Sequence, residues 1–291
     1  MSSESKKMSF ALPTLVQSDE LNIHLEHPNL RIVDASWHLP KAKKNGLQEF
    51  ELEHLPGAVF LDLDEVSDPG SELPHNIPTE EYFSKKIGEL GIGNDSWVVV
   101  YDTNGLFSAA RVWWMFRAFG HERVSLLDGG LPKWKAENRQ LSRGKSDVKP
   151  SQFKAVFNKE MFCDWESVLE HSRDQNSIIL DARSTERFAG EVDEPRLGLR
   201  SGHIPNSKNL PFMDLLESSD RRLISVDQMK GKFEAASFSA DKEIVCSCGS
   251  GVTACILALG LHLMGHHQVK IYDGSWTEWG SRHDLPMETG R

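Results

Sequence analysis

The chain has 291 residues, a formal net charge of -10, 26% charged and 39% hydrophobic residues, enough for two ordinary domains with buried cores. The acidic balance argues against a nucleic-acid or anionic-membrane partner, and no run of residues approaches the length of a membrane span. Four cysteines, three of them within ten residues, do not make a disulfide framework, so the composition predicts a cytoplasmic protein in a reducing compartment. A weak organellar signal stays open at the N-terminus.

In chain order, residues 9–28 are predicted to form an amphipathic helix closed by a short acidic turn. Arg31-Ile-Val-Asp34 is an apolar run ending in an aspartate, followed by Ala35-Ser36-Trp37. A charged helix is expected over 49–53. The turn His54-Leu55-Pro56-Gly57 then feeds a strand through Val59-Phe60. After Leu61-Asp62-Leu63-Asp64 comes a polar, proline-rich loop that carries His75. Residues 79–90 are read as helix, Trp97–Tyr101 as a buried strand, Asp102-Thr103-Asn104-Gly105 as a loop, and 108–119 as a second helix. Val124–Leu127 is a strand ending in Asp128-Gly129-Gly130, with Trp134 shortly after.

The second half repeats these landmarks. Asp34 and Asp181 are 147 residues apart, His54 and His203 149, and Trp134 and Trp279 145. Such steady offsets indicate an internal duplication. Alternating strands and helices make each copy an α/β unit on a mainly parallel sheet. The expected boundaries are 9–141 and 159–287, joined by a polar linker over 142–158.

The chemistry is concentrated at Ile244–Leu257, read as strand, tight loop and helix. The loop Cys248-Gly249-Ser250-Gly251 turns backbone N–H groups inward and stands at a helix N-terminus, a place that favours negative charge on sulfur. Cys246 and Cys255 fit better as small core residues. In the first copy the corresponding position is Asp102. A carboxylate cannot act as a sulfur nucleophile, so the first copy is expected to be catalytically silent.

Paired domains with an aspartate-ending strand, an H-[IL]-P turn and a DGG/DGS-x-x-x-W ending resemble the rhodanese superfamily of sulfurtransferases. The loop Cys248-Gly249-Ser250-Gly251-Val252-Thr253 is similar to that of 3-mercaptopyruvate sulfurtransferases, and the resemblance spans about residues 10–287. It implies that Cys248 carries sulfur as a persulfide, cradled by Gly249, Gly251, Val252 and Thr253. It implies that Arg187 and Arg196 hold the carboxylate and carbonyl of 3-mercaptopyruvate, a task for which a planar guanidinium fork is suited. It further implies that Ser250, His75 and Asp64 form a relay acting on the substrate thiol. A thiol acceptor such as thioredoxin, or cyanide, then takes the sulfur, with no metal or organic cofactor. Arg183 and Arg200 fall off the motif positions, and His54 and His203, present in both copies, are expected to be structural.

Two alternatives remain at this stage, a thiosulfate rhodanese and a thiol redox sensor, and a cysteine phosphatase is set aside. Thiosulfate rhodaneses share the fold but carry C-R-K-G-V-T in the loop, where this chain has neutral Gly249 and Ser250. A cysteine phosphatase loop ends in an arginine that is absent here. A non-enzymatic thiol redox sensor could use Cys246 and Cys248, although that pair makes a poor zinc site.

Overall fold

The structure, a computed structural model, describes residues 11–290. Five strands form the first sheet: β1 (Leu15–Val16), β2 (Leu30–Asp34), β3 (Ala58–Phe60), β4 (Trp97–Tyr101) and β5 (Val124–Leu127). They are parallel throughout, in the order β1-β5-β4-β2-β3. The second sheet repeats this with β6 (Phe162–Cys163), β7 (Ser177–Asp181), β8 (Lys208–Asn209), β9 (Glu243–Ser247) and β10 (Val269–Tyr272), in the order β6-β10-β9-β7-β8. The central strands are continuous β-branched and aromatic runs, as expected of sheets covered on both faces.

The predicted helix over 9–28 is corrected. Residues 9 and 10 lie outside the described residues, Leu15–Val16 is the edge strand β1, and the helix is confined to Ser18–His24. Pro13, which has no N–H and clashes with the preceding turn, excludes a helix running through it. The chain instead pairs with β5, where Leu126 N–H donates to Thr14 O at 2.8 Å. The segment 142–158 lies along the first domain as a strap. His54 and Ser142 exchange backbone hydrogen bonds, Ser151 N–H donates to Gly88 O, and Asn158 N–H donates to Ala118 O. Phe153 and Ala155 are buried in the core beside Phe83.

Helices Ala109–Ala118 and Ala254–Leu263 follow the two central strands and pack on each other across the domain boundary. Both are buried almost all round, as a helix apolar on every face must be. One apolar cluster therefore runs from Val33 and Val100 in the first domain to Ile256 and Ile271 in the second. Smaller clusters cover the outer face of each sheet. The boundary is also tied by two related hydrogen bonds. Leu223 N–H donates to Asp128 Oδ1 at 3.1 Å, and Ile77 N–H donates to Asp273 Oδ2 at 2.7 Å.

Candidate active site

Cys248 leaves the carboxyl end of the central strand β9, where open parallel sheets present their ligand sites. It is 1% exposed. The loop is shaped by the start of the helix Ser275–Trp279. Ser275, held at φ +50°, accepts from the N–H groups of Cys248 (3.1 Å) and Gly251 (3.0 Å) and donates to Tyr272 O (2.8 Å). The N–H groups of Trp276 and Thr277 donate to Cys248 O (3.0 Å) and Gly249 O (2.9 Å), and Thr277 Oγ1 donates to Gly249 O (2.5 Å). With its carbonyls turned to that helix, the loop keeps the N–H groups of Gly249, Ser250, Val252 and Thr253 without a partner among the described residues. Unpaired loop N–H groups ahead of the ten-residue helix Ala254–Leu263 make a cradle for negative charge.

The two loop glycines are needed for different reasons. Gly251 lies at φ +72°, and a Cβ there would come within 2.9 Å of Asp273 O. At Gly249 a Cβ would meet the Arg187 guanidinium at 3.2 Å. Val252 and Thr253 are buried, Val252 within the apolar core, so backbone N–H groups are what they offer the loop. Cys246 and Cys255 are fully buried, as expected. Burial pushes the Cys246 thiol far up and the Cys255 thiol up to about 12.

Arg187 and Arg196 stand beside the loop, as their positions predicted. Arg187 donates to both oxygens of Glu194, from Nη2 (2.5 Å) and Nε (3.2 Å). Glu194 is buried and also accepts from Arg183 Nη1 at 3.0 Å. Arg183 in turn pairs with Asp181 and lies over the Trp276 ring at 4.4 Å. Arg196 makes no ion pair among the described residues; its Nη2 donates to Ser250 Oγ at 3.4 Å. Burial lowers the Arg196 pKa, an effect the nearby Cys248 partly offsets. Of these three guanidiniums, Arg183 and Arg187 are paired with Asp181 and Glu194, while Arg196, with Asp64 in its electrostatic surroundings, stands beside Cys248 without an ion pair among the described residues.

Asp64, His75 and Ser250 come together across the domain boundary. His75 is buried, with Nδ1 3.1 Å from Ser250 Oγ and Nε2 3.0 Å from Asp64 Oδ1. Because Asp64 accepts, Nε2 carries the proton and Nδ1 is left to accept from the serine hydroxyl. Trp37 Nε1 donates to Asp64 Oδ2 at 3.0 Å, and its ring meets His75 edge-on. The His75 hydrogen bond, joined by that of Trp37, holds the Asp64 carboxyl below its ordinary pKa against the effect of burial. The sequence reading gave no part in the site to Trp37, Glu194, Ser275 or Arg111. Arg111 is a fully buried first-domain guanidinium. It donates from Nη2 to His75 O (2.6 Å) and Asp273 Oδ1 (2.7 Å), and from Nη1 to Gly251 O (3.4 Å).

In the first domain the equivalent loop is already filled. Asp102 is buried, and its carboxylate accepts from the N–H groups of Asn104 (2.8 Å), Phe107 (2.7 Å) and Ala109 (2.9 Å). Gly130 takes the place of Ser275 at φ +52°, and a Cβ there would come within 2.5 Å of Asp102 O. His54 and His203 donate from Nδ1 to Phe50 O and Phe188 O and stack on those same rings. Arg200 donates to carbonyls of Trp279, Gly280, Arg282 and Leu285, tying down the end of the last helix.

Two parallel α/β domains, one with a cysteine at the head of an anion-binding loop, define the class. Residues 17–137 and 164–282 match the Rhodanese-like domain, and the chain belongs to that family. It is 43% identical over 274 residues to the 3-mercaptopyruvate sulfurtransferase of Escherichia coli, covering 94% of this chain and 97% of that protein. The human 3-mercaptopyruvate sulfurtransferase is 45% identical over 255 residues, covering 87% and 86%. An Arabidopsis thaliana relative, thiosulfate/3-mercaptopyruvate sulfurtransferase 1, mitochondrial, is 44% identical over 296 residues, covering 94% and 78%. Among solved structures, SseA from Escherichia coli superposes with a TM-score of 0.84 at 40% identity, covering 91% of this chain and 99% of that one.

Proposed function

We propose that this chain is a sulfurtransferase that takes sulfur from 3-mercaptopyruvate, carries it as a persulfide on Cys248 and hands it to a thiol acceptor or cyanide. The observation that carries this reading is the setting of Cys248. A cradle of unpaired N–H groups lies on one side and Arg196, without an ion pair among the described residues, on the other, and the next two loop residues, Gly249 and Ser250, are neutral. A 2-oxo acid monoanion suits a site with one such unpaired guanidinium, and the space at Gly249 adjoins Arg187.

In the proposed cycle Arg187 and Arg196 hold the carboxylate and carbonyl and bring the thiol sulfur to Cys248. The Cys248 thiolate attacks that sulfur, and the C–S bond breaks with its electron pair passing to carbon as the enolate of pyruvate. The cysteine sulfur is oxidised and the carbon reduced, so no outside oxidant is required. The thiol proton passes to Ser250 Oγ as the serine proton passes to His75 Nδ1. Asp64 stabilises the imidazolium formed. Return of that proton to the methylene carbon completes pyruvate. The outer sulfur rests in the loop cradle formed with Gly249, Val252 and Thr253 until an acceptor such as thioredoxin removes it. The first domain, its loop occupied by Asp102, is silent as a nucleophile and contributes Asp64 and His75.

The deciding experiment is intact mass analysis after incubation with 3-mercaptopyruvate. One added sulfur atom, removed by cyanide and mapped to Cys248, is expected. An unchanged mass with pyruvate still released would overturn the reading. Thiosulfate is the second donor to test, since the Arabidopsis relative is named for both donors.

A further inference from the structure

We propose that Arg111 is a positioning residue for sulfur uptake: from the first domain it sets the distance between His75 and Ser250, and so the alignment of the proton relay. This rests on the sulfurtransferase reading above. His75 stands at φ +64°, a left-handed backbone that a residue other than glycine keeps only when its surroundings hold it there. Arg111 Nη2 holds the His75 carbonyl at 2.6 Å. The same Nη2 holds Asp273 Oδ1, while Asp273 Oδ2 accepts from the N–H of Ile77, two residues beyond His75. On its other side Arg111 Nη1 reaches the carbonyl of Gly251, next to Ser250. One rigid, planar group therefore holds His75 itself and the residue that follows Ser250, on the two sides of the 3.1 Å His75–Ser250 contact.

The arrangement is one-sided, although the fold is duplicated. Asp273 and Ile77 have the counterparts Asp128 and Leu223, related by 145 and 146 residues, and the second pair makes the same hydrogen bond with no buried arginine: Asp128 Oδ2 accepts from Gln17 Nε2 at 2.9 Å, and the nearby Arg222 is partly exposed and paired with Asp220. The residue 146 positions after Arg111 is Leu257, a buried apolar side chain. A general interdomain fastener would be expected at both ties. The buried guanidinium is present only at the tie that carries His75. It also lies beside the buried Cys255 thiol and 5.1 Å from the Phe162 ring, and its own Nε is buried with no hydrogen-bond partner among the described residues.

Uptake from 3-mercaptopyruvate must move a thiol proton. Uptake from thiosulfate and discharge of the persulfide to cyanide move none. The test therefore measures all three half-reactions by rapid mixing on the full-length wild type, on Arg111→Lys, and on the charge-free double variant Arg111→Met with Asp273→Asn. The double variant leaves no buried charge unpaired, so it keeps the test open if the single variant folds poorly. Misplacement of a reacting group by about an ångström costs on the order of a hundredfold. Uptake from 3-mercaptopyruvate should accordingly fall by roughly ten- to a hundredfold, with thiosulfate uptake and cyanide discharge changed by less than about threefold. A parallel fall in all three half-reactions, or no fall in any, overturns the positioning role. If the wild type gains no sulfur from 3-mercaptopyruvate while it does from thiosulfate, the donor reading fails instead.

Discussion

The two arginines beside Cys248 differ in how they are held, and this predicts different responses to substitution. Arg187 grips Glu194 with two hydrogen bonds, whereas Arg196 has only the serine hydroxyl at 3.4 Å. Removing either one takes a positive charge from beside Cys248. Each Ala variant loses a charge-assisted contact of about 1.5–3 kcal/mol, which corresponds to roughly a 10- to 150-fold fall in kcat/KM for 3-mercaptopyruvate. Lysine separates the two roles. At 196 no protein carboxylate is gripped, so Arg196→Lys keeps the charge, gives up only the fork offered to the substrate, and should recover part of the activity. At 187 the bidentate grip on Glu194 is lost and that buried carboxylate keeps only Arg183, so Arg187→Lys should recover little. Steady-state assays with cyanide as acceptor read both effects. Ala variants within threefold of wild type, or equal rescue by lysine at the two positions, would refute the reasoning.

Cys248→Ser should abolish sulfur uptake in the intact-mass assay with the fold retained. Cys246→Ser should keep most activity, because that thiol is buried in β9 and its pKa is pushed far up. The wild type should favour 3-mercaptopyruvate over thiosulfate in kcat/KM, and Gly249→Arg with Ser250→Lys should shift the ratio towards thiosulfate. A side chain at 249 must displace Arg187, so a shift in the opposite direction would refute the charge argument. The hydrogen bond from His75 holds the Asp64 pKa below its ordinary value. For a carboxylate depressed on folding, the stabilisation is complete above its unfolded pKa and is lost as pH falls through the folded value. The difference in thermal midpoint between wild type and Asp64→Asn should therefore be greatest near neutrality and shrink on acidification through that range. A difference independent of pH would contradict the sign.

The parts of the fold that were legible were those with an unambiguous pattern. Trp97–Tyr101 and Val124–Leu127 are apolar runs bounded by turn residues, and their counterparts in the second half fixed the duplication. The two-residue edge strands β1 and β6 were missed, since two residues show no period and their pairing is settled by the neighbouring strand. The Cys248 loop was visible as a glycine-rich strand–helix junction, but the loop alone did not separate a reactive from a structural cysteine, and the resemblance singled out Cys248. Asp64 and His75 were picked out by resemblance alone, as nothing local shows that a residue 175 positions from Ser250 touches it. Arg111 was hidden for the opposite reason. It stands in Ala-Ala-Arg-Val-Trp-Trp-Met-Phe, a run that reads as core, and the carboxylate that retains its charge there is 162 residues away.

The apolar cluster shared by helices Ala109–Ala118 and Ala254–Leu263 bears on how the molecule moves. Two domains joined by a shared interior cannot swing apart as jaws without exposing that interior to water. The stretch that carries Arg187 and Arg196 lies outside that interior and runs on to the fully exposed Leu197 and the left-handed Gly198. The same continuity sets a limit on dissection. A fragment beginning at residue 159 would keep Cys248, Arg187 and Arg196. It would lack Asp64 and His75 and present a bare greasy helix to solvent. The duplication is modular as sequence, while the working unit is the pair.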